Sequence, residues 1–189
     1  MPGERMKRTV FQILFAAAAA LMSGCVFMGE EYIAPATYDL EQSEKISQVQ
    51  VSRIRVRNGS GADRRFLYRG RSNRMRFDEY NLWLLDPELL LGRALNGFFA
   101  SRSESGVEML CKIEAFEFDL VRKTARLKLS IEFARDGKTT FYSRSWSSSF
   151  DAERGSSAAE AMNKCVRAAM EDIEKQCGGK TVSATGDKK

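Results

Sequence analysis

Residues 125–137 read Ala125-Arg126-Leu127-Lys128-Leu129-Ser130-Ile131-Glu132-Phe133-Ala134-Arg135-Asp136-Gly137, and this stretch decides the fold. Apolar side chains fall on odd positions from Ala125 to Phe133, with Arg126, Lys128 and Glu132 between them. A period of two describes a strand with one buried face and one wet face. Asp136-Gly137 is the dipeptide that a tight hairpin favours, so the chain is expected to turn back into a partner strand over Thr139–Phe150, which carries Tyr142 and Trp146.

Upstream, Val107, Met109, Cys111 and Ile113 alternate on odd positions, while Phe116, Phe118 and Leu120 continue on even ones. A change of parity within one run predicts a bulge. Residues 107–150 therefore read as a three-stranded meander. Before it, Asp86, Pro87 and Glu88 open a helix, as cap, first helical residue and acid at the positive end of the dipole. Leu91, Ala94, Leu95, Phe98 and Phe99 give that helix one apolar face. After the meander, Ala158, Met162, Cys165, Val166, Ala169 and Ile173 repeat at helical spacing. Ser156 or Ser157 stands at the start and Gly178-Gly179 at the end.

Towards the N-terminus, Gln48–Arg57 reads as a strand. Val49 and Val51 lie on one parity and Ile54 and Val56 on the other, which places a bulge near Ser52-Arg53. Asn58-Gly59-Ser60-Gly61 is a turn. Phe66-Leu67-Tyr68 is a short strand, and Met75, Phe77, Tyr80 and Trp83 mark a further apolar region. The expected fold is α/β in the α+β sense: a mostly antiparallel sheet with two helices packed on one face.

The first 24 residues have a different character. Arg5, Lys7 and Arg8 precede an apolar run from Val10 to Leu21, about a dozen residues, whereas a membrane-spanning helix needs ~20. A basic start, a short apolar core and small residues make an export signal. Leu21-Met22-Ser23-Gly24-Cys25 resembles the lipobox of bacterial lipoproteins, with Met22 where leucine is usual. The resemblance implies cleavage before Cys25 and covalent diacylglycerol and fatty acid on it, with no other cofactor. Val26 in the next position, rather than aspartate, implies an outer-membrane destination. The domains expected are a signal over 1–24, a lipidated tether over 25–43, one domain over 44–177 and a polar tail over 178–189.

The chain's net charge is +5. The signal holds three cations against Glu4, so about +3 remains after cleavage, too little to define a partner. Export argues against nucleic acid. Histidine is absent, which removes the commonest general base and any His-bearing metal site. Cys111, Cys165 and Cys177 form no CxxC pair. A disulfide from Cys111 to either of the others stays open in an oxidising compartment, and three buried, inert thiols are the favoured reading. No nucleophile has an evident base, and the chain is expected not to be an enzyme.

Charge is spread unevenly. Nine arginines and no lysine lie between Arg53 and Arg76, against the single acid Asp63. Arginine's planar fork matches carboxylates and phosphates. Arg53, Arg55, Arg57, Arg69, Arg71 and Arg74, with Tyr68, are the candidate partner-binding residues. The competing reading is a solvated basic face in which some arginines pair with Glu88, Glu114 or Glu117. Tyr68, Tyr80 and Trp83 form either an interface anchor or, as favoured, part of the core.

The order of these features resembles the ABC-type transport auxiliary lipoprotein family. The residues that carry the likeness are the lipobox, Tyr38-Asp39-Leu40, the Val49-x-Val51-x-x-Ile54-x-Val56 strand, Phe66-Leu67-Tyr68-Arg69, Tyr80-x-x-Trp83 and the helix from Pro87. The likeness spans residues 37 to 176. It implies a non-catalytic accessory subunit at the periplasmic face of the outer membrane. The implied partners are a mammalian-cell-entry-domain protein, which conducts lipid across the periplasm, and an inner-membrane ABC permease and ATPase, with a homo-oligomeric ring as one arrangement. The alternative is an outer-membrane or lipopolysaccharide assembly lipoprotein partnering a β-barrel.

Overall fold

Thirteen residues, Val107–Asp119, form the strand on which the rest is assembled. The computed structural model describes residues 33–100, 103–104 and 106–178. The expectations that fall on the signal, on Cys25 and on the polar tail from residue 179 lie outside the described residues. The chain divides after Ala34, and its described strands and helices all belong to the unit that begins at Pro35.

In chain order the elements are β1 (Ala36–Tyr38), β2 (Val51–Asn58), β3 (Arg65–Arg69), β4 (Met75–Trp83), α1 (Pro87–Phe98), β5 (Val107–Asp119), β6 (Thr124–Arg135), β7 (Lys138–Ser149) and α2 (Gly155–Gly178). The strands form one seven-stranded sheet in the order β1-β4-β3-β5-β6-β7. β2 pairs with the first half of β5, from Val107 to Ile113, and β3 with its second half, at Phe118 and Asp119. The two short strands therefore lie end to end along one side of a single long one.

This sheet is mixed, which corrects the expectation of a mostly antiparallel one. Among the described residues β1–β4, β2–β5 and β3–β5 are parallel, while β3–β4, β5–β6 and β6–β7 are antiparallel. The physical reason is the crossover. α1 carries the chain from the end of β4 back to the start of β5, and a helical connection of that length lets strands run the same way. Hairpin chemistry marks its own pairing locally. Pairing between segments some fifty residues apart leaves no local mark.

The meander matches the reading of residues 107–150. Asp136 and Gly137 both have positive φ, 51° and 71°, and Arg135 pairs with Lys138, as a two-residue hairpin of this handedness requires. Both expected bulges occur, one between Val51 and Arg53 and one between Ile113 and Ala115. Gly106 sits against the first. A Cβ there would come within 2.7–2.9 Å of Ser52 N, Val51 C and Gln50 O, so only glycine allows the strands to meet.

Both helices bury their apolar stripes in one continuous core. Leu90, Leu91, Ala94, Leu95 and Phe98 of α1 join Met162, Cys165, Val166, Ala169 and Ile173 of α2 over the odd-numbered face of β6 and the face of β5 that is odd-numbered up to Ile113 and carries Phe116 and Phe118 after the bulge. Asp86 occupies the cap position of α1 in an extended conformation, and its carbonyl rather than its side chain accepts a bond, from Leu90 N–H at 3.0 Å. α2 begins at Gly155, one residue before the serines expected to cap it, and Ser157 Oγ instead accepts from Asp151 N–H at 2.9 Å.

The segment read as a tether up to residue 43 is built into the domain from Ala36. β1 lies parallel on β4, and Leu40 is buried. Asp39 pairs with Arg93 of α1, while Asn163 of α2 accepts from Glu41 N–H at 2.9 Å. Trp83, Phe66, Phe116 and Phe118 make an aromatic block at the β3–β4 end of the core.

Candidate docking surface

Alternation along β2 sorts its side chains into two sets. After the bulge, Ile54 and Val56 point towards α1, whereas Arg53, Arg55 and Arg57 stand exposed on the face of the sheet that neither described helix covers. Across the ladder these three sit beside Glu108, Leu110 and Lys112 of β5. Lys112 is engaged with Glu114 at 2.9 Å. None of the three arginines has an ion pair within 4 Å among the described residues.

The other arginines of the run have separate fates. Arg64 Nε donates to Trp83 O at 3.2 Å. Arg65 pairs with Asp63, whose carboxyl its hydrogen bond holds below the usual range, and lies 4.1 Å from the Phe77 ring centroid. Arg69 forms a two-pronged bond to Glu117, Nε to Oε1 at 2.9 Å and Nη2 to Oε2 at 2.8 Å. Arg126 reaches the same carboxylate at 3.3 Å. Glu117 is buried, so Arg69 is committed to holding an interior charge and leaves the candidate set. Of the three acids expected to absorb arginines, Glu117 alone takes one from this run. Glu88 accepts from Asn58 N–H, and Glu114 pairs with Lys112.

Arg71 and Arg74 are exposed at the tight turn that joins β3 to β4. On β5, Arg53 is level with Glu108 and Arg69 with Asp119, eleven residues further on, or roughly 35 Å at 3.3 Å per residue. Nine arginines that are close in sequence thus form no single patch. The structure keeps Arg53, Arg55 and Arg57 together and sets Arg71 and Arg74 apart at the far end.

Tyr68 is a further correction, since it is only 7% exposed. It packs on Phe118 and Phe66, and burial pushes its hydroxyl well above the ordinary value. Trp83 is buried too, against Phe66 and Phe118, while Tyr80 is exposed. These aromatics are therefore no common anchor. They diverge because Tyr80 lies where the β3–β4 register breaks, between Phe77 and Leu82, while Trp83 lies in regular pairing opposite Tyr38 of β1.

Sequence reading also missed a free strand edge. Gly59 N–H donates to Ile113 O, and Val107 N–H to Gln50 O. In a parallel ladder the residues of one parity bond one neighbour and the other parity faces away. Arg53, Arg55 and Arg57 therefore bond β5, and the amides of Ile54, Val56 and Asn58 point off the sheet. Asn58 N–H is taken by the Glu88 carboxylate at 3.1 Å. Ile54 and Val56 line a shallow groove of about 300 Å³ with Glu88, Leu89, Gly92, Arg93 and Asn96 of α1. The signal for this was present in the sequence as half-buried Ile54 and Val56 alternating with arginines.

Cys111, Cys165 and Cys177 are buried and free. Burial pushes their thiols up from 9.0 to about 12, 11 and 12 respectively. A raised pKa means the fold favours the protonated form. The stability this contributes is complete below about pH 9 and is lost as pH rises from there towards about 12. At pH 8 these thiols are expected to resist iodoacetamide in the folded protein and to react fully in 6 M guanidinium, as counted by mass spectrometry. Rapid native labelling would contradict their burial.

The same fold occurs among solved structures. No family model and no curated protein matches the chain. A crystal structure of an uncharacterised protein superposes with a TM-score of 0.65 at 9% identity, covering 76% of this chain and 98% of the other. A Xanthomonas campestris protein of family DUF330 superposes with a TM-score of 0.59 at 11% identity, covering 75% and 95%. A candidate lipoprotein from Caulobacter crescentus CB15 aligns over 66% of this chain and 92% of its own at 11% identity, with a TM-score of 0.29. At these identities the first two show a shared fold, and the third superposition is too loose to carry an argument. No helix among the described residues is long and apolar enough to cross a membrane.

Proposed function

We propose that this chain is a lipid-anchored, non-catalytic accessory subunit of an ABC-type lipid transport system. In this reading Cys25 carries the acyl groups that hold the domain at the periplasmic face of the outer membrane. One buried chain gives only marginal binding, and two or more hold firmly. The domain docks a mammalian-cell-entry-domain conduit, which in turn meets the inner-membrane permease and ATPase. The observation that carries the reading is the row of Arg53, Arg55 and Arg57, without ion pairs among the described residues and exposed beside an open strand edge. A row of that kind suits contact with another macromolecule. The lipobox and the family resemblance supply the setting, and a chain without histidine lacks the commonest means of acid–base catalysis.

Metabolic labelling with palmitate, followed by separation of inner and outer membranes, tests the anchoring. The wild-type chain is expected to carry label and band with the outer membrane. Cys25→Ser is expected to lose the label and remain unprocessed or be released. Label retained in Cys25→Ser, or banding with the inner membrane, would overturn the anchor or its address.

A further inference from the structure

We propose that the free edge of β2 accepts an extended segment of a partner protein as an additional strand, and that this segment alternates acidic with apolar side chains. The inference rests on the docking reading above and gives it a binding mode.

Three features of the edge specify the segment. Ile54 and Val56 direct their amides and carbonyls off the sheet, and no hydrogen bond satisfies them among the described residues, so main-chain pairing is available there. On one side of an added strand lie Arg53, Arg55 and Arg57, which call for carboxylates. On the other side lies the groove floored by Ile54 and Val56 and walled by Leu89, itself 57% exposed, which calls for apolar side chains. A strand presents successive side chains to opposite faces, so the two demands are met by one alternating sequence.

Edges are often blunted against unwanted pairing by charge, by bulges or by covering elements. Here the bulge lies at Val51–Arg53 and the Glu88 contact at Asn58, which close the two ends of β2 and leave its middle open. Gly92 keeps the groove clear: a Cβ there would only touch Val56 Cγ2 at 3.8 Å, so a longer side chain would extend into the space. The other long edge, β7, carries Thr139, the exposed Phe141, Ser143, Ser145, Ser147 and Ser149 on its open face beside Arg126 and Lys128 of β6. Arg126 is already engaged with Glu117 and Ser145, so the described residues there form no row of three unpaired cations like that of β2. β1 is only three residues long.

The test uses the full, lipidated chain in detergent and a fluorescent ten-residue peptide of alternating Glu and Val. The peptide is expected to bind and to be weakened about tenfold or more by N-methylation of every second residue in the phase that faces β2. N-methylation in the other phase should have little effect. A Lys-Val peptide should not bind, and Gly92→Leu, which fills the groove without touching an ion pair, should weaken the Glu-Val peptide with its melting temperature held. Equal binding of both N-methylated peptides would overturn strand addition while leaving charge-driven docking intact. No binding of any peptide, or full competition by anionic phospholipid added as mixed micelles in the same detergent, would overturn the proposed occupant.

Discussion

Trp83→Ala is expected to lower the stability of the folded unit by about 3–5 kcal/mol. Trp83 is 1% exposed, and its ring lies 4.6 Å from that of Phe66 and 5.3 Å from that of Phe116, centroid to centroid. It also ends β4, where its amide donates to Arg64 O and its register partner is Tyr38 of β1. Removing the indole leaves a cavity that rigid aromatic neighbours cannot refill, so the lost transfer energy and the cavity add. Against a typical total of 5–15 kcal/mol this is a large share. In a domain of this size it corresponds to a fall in Tm of roughly 10 °C. Scanning calorimetry reads it directly, and an unchanged Tm would mean that the aromatic block is not the core of this end. Trp83→Phe, which keeps most of the contact, should recover the greater part.

Replacing Arg53, Arg55 and Arg57 together by glutamate is expected to leave the fold intact and to abolish partner capture. The three side chains are exposed and make no ion pair among the described residues, and exposed substitutions usually fall within about 0.5 kcal/mol each. The new charges roughly balance across the ladder, since the carboxylate at position 53 would face Glu108 and the one at position 57 would face Lys112. At an interface the same reversal sets like charge against like, which costs several kcal/mol. A penalty of about 3 kcal/mol weakens binding on the order of 100-fold. Arg71→Glu with Arg74→Glu is the matched control, a charge change of the same sign made at the far end of the sheet. Loss of capture in the control and not in the triple variant would move the interface to the β3–β4 turn.

Legibility in the sequence followed the range of each interaction. β6 and its hairpin were readable because alternation and Asp136-Gly137 are local facts, and both bulges were readable as parity changes at Ser52 and after Ile113. The faces of α1 and α2 were readable from helical spacing. The parallel pairing of β2 and β3 with β5 was not, because it depends on where α1 returns the chain. The helix between β4 and β5 was the one hint of a crossover. For the candidate site, the arginine row of β2 was visible as Arg-x-Arg-x-Arg. What hid was the sorting of its neighbours: Arg69 is drawn to Glu117, 48 residues away, and Tyr68 is drawn inward by Phe118. Both depend on contacts that exist only after the sheet has formed.

The most direct test is affinity purification of the tagged, lipidated chain from native membranes, with mass spectrometry of the proteins that accompany it. A mammalian-cell-entry-domain protein is predicted to come with the wild type and to be absent with the Arg53, Arg55 and Arg57 charge-reversal variant at equal expression. Recovery of a β-barrel in its place, or of the same partner with both forms, would contradict the account.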